Sequence, residues 1–172
     1  MFKIILIVTL FALCSLIGYV YGEKFRKRYE DLIEIHKAII LLQNEVIYNN
    51  TSLPESFNLI SRKISDPFST ILENVSKRLE FGSEKDVYSA FVNEYTLCEG
   101  DIYLNRDDKN ILSSFFKSLG ESGVYGQDKI FTLALENMKI NIKDSDDISK
   151  KNTKLYRYLG VCFGAMISIF LL

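Results

Sequence analysis

The chain has one His, three widely separated Cys, two Pro and no excess of either charge, with 21 Lys and Arg against 22 Asp and Glu over 172 residues. A net charge of −1 leaves no surplus of cations to neutralise phosphates, so a nucleic-acid protein is not expected. Cys14, Cys98 and Cys162 form no CxxC and lie beside no His cluster, which favours small structural hydrophobes over metal or thiol chemistry. No GxxxxGK[ST] run is present, so a phosphate-cradling loop is missing. Gly120, Gly123 and Gly126 are spaced by three but match no dinucleotide fingerprint and read as a linker. His36 has no nucleophile motif beside it and reads as a surface residue of an amphipathic helix. Asp144, Asp146 and Asp147 suggest a calcium loop, but Ser149 stands where its Gly is needed and Leu155 where its bidentate Glu is needed. That stretch is expected to be a solvated acidic hinge. Together these absences predict a protein that is not an enzyme and has no metal, cofactor or small-molecule substrate.

The charges that are present are unevenly placed. Residues 4–22 carry none; as a helix these 19 residues would span about 28 Å, close to a bilayer core. Residues 158–172 are also uncharged, and they reach a comparable length if 155–157 join them with the Arg157 head snorkelling. A cleaved signal peptide is the rival reading of the first run. Its length, its basic exit and the lack of a small-x-small site argue instead for a retained anchor. Lys24, Arg26, Lys27 and Arg28 flank the first run, and Lys150, Lys151, Lys154 and Arg157 flank the second, so the positive-inside rule places the middle of the chain in the cytoplasm. The expected organisation is a transmembrane helix over 1–22, a cytoplasmic helical domain over 23–154 and a second transmembrane helix over 155–172. Residues 29–149 hold 12 Lys and Arg against 21 Asp and Glu, a net of −9, which suits a domain that stands off an anionic leaflet and meets basic partners.

The middle reads as helical throughout. Leu32, Ile35, Ile39, Leu42 and Val46 recur at three and four along 24–49, predicting one long helix that continues out of the first span. Thr51-Ser52-Leu53-Pro54 breaks it and opens another, with a hydroxyl at the cap and Pro54 in the first turn. After Asp66-Pro67 a stripe of Phe68, Ile71, Leu72, Val75 and Leu79 runs to Gly82. Ser83-Glu84-Lys85-Asp86 resembles a capping box opening a fourth helix, with Val87, Phe91, Val92 and Tyr95, which stops at Gly100. A fifth carries Ile111, Leu112, Phe115, Phe116 and Leu119 and stops at Gly120; a sixth from Gln127 carries Ile130, Leu133, Ala134, Met138 and Ile142. No period-two run competes, so the fold class is an all-α bundle of about six helices flanked by the two spans. In the spans, Gly18 and Gly22, and Gly160 and Gly164, are four apart, the spacing that lets helix backbones approach closely in pairing or self-association.

Two basic-flanked spans around an acidic helical domain, with LLQNEVIYNNTSLPESFNLIS over 41–61 and FFKSLGESGVYGQDKIFTLALENM over 115–138, resemble the stage III sporulation protein AB family of endospore-forming bacteria. The family's pattern is matched by Glu45, Tyr48, Leu53, Pro54, Glu55, Leu119, Gly120 and Gln127. It departs at Ser52, where Pro is usual, and at Gly123, where Asp is usual. The resemblance implies a subunit of the channel complex between mother cell and forespore, in the outer forespore membrane, with the helical domain in the mother-cell cytoplasm. It also implies similarity to the inner-membrane platform protein of type II secretion and type IV pilus systems. The partners it implies are a secretion ATPase, expected to be stage III sporulation protein AA, together with other channel subunits. Glu45, Tyr48, Leu53, Pro54, Glu55, Gly120 and Gln127 are the positions expected to shape the partner surface; packing for Tyr48, Leu53 and Pro54, and capping or internal ion pairing for the two Glu, are the competing roles. A platform subunit outside sporulation shares most of these features and is the alternative.

Overall fold

The computed structural model describes the backbone of residues 2–84, 86–121 and 124–171 and the side chains of residues 5–84, 86–120 and 126–170. Among these there are six α-helices and no strand: α1 (Phe2–Gln43), α2 (Leu53–Ser61), α3 (Phe68–Glu80), α4 (Val87–Leu97), α5 (Arg106–Glu121) and α6 (Val124–Leu171), with a π-helical segment over Asn44–Tyr48 after α1. They form two compact units, Glu30–Ile142 and the pair Met1–Tyr29 with Lys143–Leu172.

The larger unit is built on apolar stripes of helical period. Leu32, Ile35, Ile39, Leu42 and Val46 are buried on the α1 side, and Phe68, Ile71, Leu72 and Val75 on α3. An aromatic chain ties the helices together. Phe57 of α2 lies 6.1 Å from Phe116 of α5, Phe116 stacks on Phe91 of α4 at 3.9 Å, and Phe115 meets Phe131 of α6 edge-on at 5.3 Å. Each such ring removes enough apolar surface from water to contribute about 1.5–3 kcal/mol. Val92 and Leu133 leave the expected stripes and face outward, because Val87, Ala90 and Phe91 form the inner face of α4 and Phe131, Ala134 and Met138 that of α6.

Cross-links fix an up-and-down order. The Ser76 hydroxyl of α3 donates to the Pro54 carbonyl at 2.7 Å, and Ser69 at the start of α3 donates to Ser61 at the end of α2 at 2.7 Å, so the two run antiparallel. Ser113 of α5 donates to the Tyr88 hydroxyl of α4, and Asn141 of α6 donates to Asp108 of α5 at 2.7 Å. Gln43 at the end of α1 donates to Asp128 at the start of α6 at 3.1 Å. The ends of α1, α3 and α5 and the starts of α2, α4 and α6 therefore share one end of the unit, called the tip below.

Several helix limits differ from expectation. The N-cap of α4 is Asp86, whose carboxylate accepts from the Ser89 amide at 2.7 Å, not Ser83; Lys85 lies outside the described residues. Asp86 binds directly because its backbone is extended while Ser83 is still closing α3. At the start of α2, Ser52 is the cap residue in extended backbone but its side chain makes no cap bond, and Pro54 sits in the first turn. α4 ends at Leu97, short of Gly100. α5 passes through Gly120 to Glu121, since at helical φ a glycine costs only about 1 kcal/mol. The expected 120–126 linker narrows accordingly, and Gly123 lies outside the described residues. The expected acidic hinge is absent: α6 is helical throughout 144–154, where Asp146 pairs with Lys150 at i,i+4 and Ser145 and Ser149 are buried. α3 closes as the stripe predicts. Ser83 and Gly82 amides donate to the Arg78 and Leu79 carbonyls, with Gly82 at φ +65° and Phe81 as the C-cap. This is a Schellman motif, which needs the left-handed backbone that Gly adopts without strain.

The smaller unit is a pair of helical segments in close backbone contact. A Cβ on Gly18 would lie 2.8 Å from the Gly160 Cα, and one on Gly22 would lie 3.0 Å from the Thr153 carbonyl oxygen. A Cβ on Gly164 would meet Phe11 and Cys14. Thr153 donates to the Gly22 carbonyl at 3.1 Å and Arg157 to Glu23 at 3.2 Å, while Tyr156 stacks on Phe25 at 5.5 Å. Apolar side chains point away from the pair on both segments, including Ile5, Val8, Leu16, Phe163, Met166 and Ile169. Only the N-terminal helix has a described stretch long and apolar enough to cross a membrane.

Candidate functional site

The sequence-predicted partner residues gather at the tip, with unequal exposure. After α1 the chain widens into the π-helical segment, where the Asn49 amide reaches back to the Asn44 carbonyl at 3.1 Å. Asn50 then turns at φ 52°, and the Thr51 amide donates to the Glu45 carbonyl at 2.9 Å. The Glu45 carboxylate clamps this turn, accepting from the Asn49 side chain at 2.9 Å and Thr51 at 3.3 Å and pairing with Lys63 at 3.5 Å. The Asn49 hydrogen bond, backed by Thr51 and the Lys63 charge, outweighs desolvation and holds the Glu45 carboxyl below its usual value. Asn49 and Lys63 were not singled out by sequence, and Thr51 was read there only as part of the break before α2. The two short polar residues flanking a positive-φ Asn carried the signal.

Tyr48, carried by that turn, is 72% exposed. Leu53 is half-buried against the core, and Pro54 offers its carbonyl to Ser76. Glu55 projects into solvent. Gly120 is exposed on α5, where a Cβ would make ordinary contact with Val87 at 3.7 Å, so its lack of a side chain is not demanded by packing. Gln127 is half-buried at the start of α6, beside the Asp128 that Gln43 holds. Tyr48 and Glu55 thus face solvent, while Glu45, Leu53 and Pro54 shape the turn that presents them.

Elsewhere the unit offers little chemistry. A groove of about 310 Å³ between α5 and α6 is lined by Ile111, Phe115, Leu133 and Ala134 with Ser and Asn at its rim, none of which titrates near neutrality. No group of three or more His, Cys, Asp and Glu suited to a metal ion occurs among the described residues. His36 is not a plain surface residue: its Nε2 is buried without a hydrogen-bond partner, and burial, helped by the Lys139 charge, lowers its pKa. Cys14, Cys98 and Cys162 are free thiols, and burial raises the pKa of Cys98.

Comparison with known proteins gives one consistent result. A sequence model of the stage III sporulation protein AB family matches residues 3–172. The stage III sporulation protein AB of Bacillus subtilis (strain 168) is 23% identical over 155 residues, covering 90% of each chain. A solved structure of a stage III sporulation protein AB superposes with a TM-score of 0.66 over 72% of this chain and 96% of that one, at 22% identity, which is a likeness of fold.

Proposed function

Since the chain belongs to the stage III sporulation protein AB family, and so has a role in sporulation, we propose that it is a non-enzymatic membrane platform subunit of the channel complex between mother cell and forespore. In this reading it lies in the outer forespore membrane, anchored by 1–22 and 155–172, with the helical unit in the mother-cell cytoplasm. It docks a cytoplasmic secretion ATPase, stage III sporulation protein AA, beside other channel subunits. The observation that carries the reading is the tip: a locked turn presents Tyr48 and Glu55 to solvent on a segment of net charge −9. Such a surface steers and orients a basic partner more than it adds raw affinity. The lack of a GxxxxGK[ST] run fits a subunit that borrows its motor. The outward apolar side chains of the C-terminal segment, Phe163, Met166 and Ile169 among them, support a second span, and the Gly18–Gly160 approach supports pairing of the two spans, with self-association through the same helices open to test.

The test is a titration of the full chain in lipid nanodiscs with purified stage III sporulation protein AA across salt concentrations. Binding that weakens as salt rises is the expected result. Absence of binding at every salt concentration would overturn the docking role.

A further inference from the structure

Phe81 is, among the described residues, the large apolar residue that the helical unit leaves most exposed, at 81%, although it sits on hydrogen-bonded backbone between two helices. Nothing in the core needs it there. The α3 stripe ends inward at Leu79, and Phe81 falls on the C-cap, rotated off that stripe. Its main chain is held on both sides, by its own amide to the Lys77 carbonyl at 3.0 Å and by the Schellman bonds of Gly82 and Ser83 at 3.3 and 3.0 Å. An exposed ring on a fixed backbone costs little further ordering when it is buried by a partner. Tyr48 is the second such ring at the tip, likewise on a turn closed by backbone bonds and by Glu45. The first turn of α2 links the two sites, since the turn bearing Tyr48 leads into it and its Pro54 carbonyl accepts from Ser76 of α3.

Among the described charges of α2 and the last turn of α3, the elements that adjoin the two rings along the chain, the unpaired ones are acidic. Lys77 is paired with Glu73, and Arg78 with the buried Glu94 and with Glu84, so these cations are neutralised within the unit. Glu55 and Glu80 are exposed and form no ion pair among the described residues. We infer that Phe81 and Tyr48 are paired aromatic anchors, rimmed by Glu55 and Glu80, for a protein partner whose surface offers apolar pockets bordered by Lys or Arg. Aromatic side chains at the centre of a contact carry a large share of binding energy, while the rim charges set orientation. A second copy of this tip is a poor occupant, because a two-fold contact would bring the same carboxylates together. An anionic bilayer is disfavoured for the same reason.

The inference rests on the ATPase-docking reading, and the experiment separates the two. Full chain in nanodiscs is titrated with stage III sporulation protein AA, using wild type, Phe81→Ala, Phe81→Tyr, Tyr48→Ala and Leu97→Ala. Leu97 is 73% exposed at the opposite end of α4 and serves as the control for loss of any exposed apolar side chain. The expected result is a roughly 30-fold weaker Kd for Phe81→Ala and for Tyr48→Ala, the size of an aromatic anchor, with Phe81→Tyr within about threefold of wild type and Leu97→Ala unchanged. Wild-type binding that survives Phe81→Ala overturns the anchor assignment and leaves the docking reading standing. No wild-type binding overturns both. Should Phe81→Ala lower the melting temperature, a photo-crosslinking residue at position 81 decides: labelling of the ATPase from 81 and not from 97 supports the anchor, and absence of labelling from 81 overturns it. Sedimentation showing that Phe81→Ala abolishes self-association instead also overturns it.

Discussion

Asp108 shows how much a single buried carboxylate can organise. It is fully buried, its carboxylate accepts from the Asn105 amide at 2.9 Å and from the Asn141 side chain at 2.7 Å, and the Asp108 amide donates to the Asn105 side-chain oxygen at 2.8 Å. One side chain therefore caps α5 and pins α6 to it. Asp108→Ala leaves these donors without their acceptor, and a loss of about 2–3 kcal/mol is expected, measured as a lowered thermal midpoint by circular dichroism. His36 makes the opposite point, because its surroundings disfavour its charge. Its folded pKa lies below the ordinary 6.5, so the unfolded chain binds more protons between the two values and stability falls as pH drops from 6.5 toward the folded value. The melting temperature should rise as pH approaches 6.5 from below and level off above about pH 7, and His36→Gln should flatten that rise. Sequence reads His36 as a surface residue and says nothing of Asp108. Both roles escape it for one cause, that the Lys139 facing His36 and the Asn141 facing Asp108 come from α6, more than a hundred and more than thirty residues away respectively.

Elements were more legible than their edges. The stripes through Leu32 to Val46 and Phe68 to Val75 were readable because burying one face of a helix repeats every three or four residues. The continuation of α6 through Asp144, Asp146 and Asp147 was not, because polar residues are compatible with a solvated helix as well as with a hinge, and Asp146–Lys150 pairing tips the balance only once the turn has formed. At the tip, Glu45 reads like Glu55 in sequence, and only the fold of the π-helical turn sends one inward. The glycines of the smaller unit give an element-scale prediction. A Cβ on Gly164 would lie 3.4 Å from the Cys14 Cβ, close to the separation that a disulfide needs. Gly164→Cys, in a background with Cys98 and Cys162 changed to Ser, should form an intramolecular disulfide with Cys14 on oxidation in vesicles, seen as a gel shift. A chain that stays reduced would count against the pairing of these segments.

The whole molecule combines two units of opposite surface character. Met1–Tyr29 with Lys143–Leu172 turns most of its apolar side chains outward, whereas Glu30–Ile142 buries an apolar core and shows carboxylates beside a few exposed rings and aliphatic side chains. Both draw on α1 and α6. The net charge of −1 conceals this, since the basic flanks and the acidic middle cancel in the total. Function at this scale should follow the arrangement rather than the sum. Glu55→Lys reverses one exposed charge without touching the core, so it should leave the melting temperature within about 1 °C, as for ordinary surface substitutions, while weakening ATPase binding several-fold at low salt and less at high salt. Equal loss at both salt concentrations, or none, would remove Glu55 from the contact.

The π-helical turn at the end of α1 holds one residue more than an α-helical turn would. Each residue of an α-helix advances its side chain by about 100°, so that single extra residue decides which way Tyr48 looks. Removing one residue from Asn44–Tyr48 would keep every side chain chemically suited to its task yet swing the ring around the helix axis, much as a clock hand set one hour off still keeps perfect time. The direction in which Tyr48 points is thus written partly as a count of residues, a kind of information that insertions and deletions alter and substitutions leave untouched.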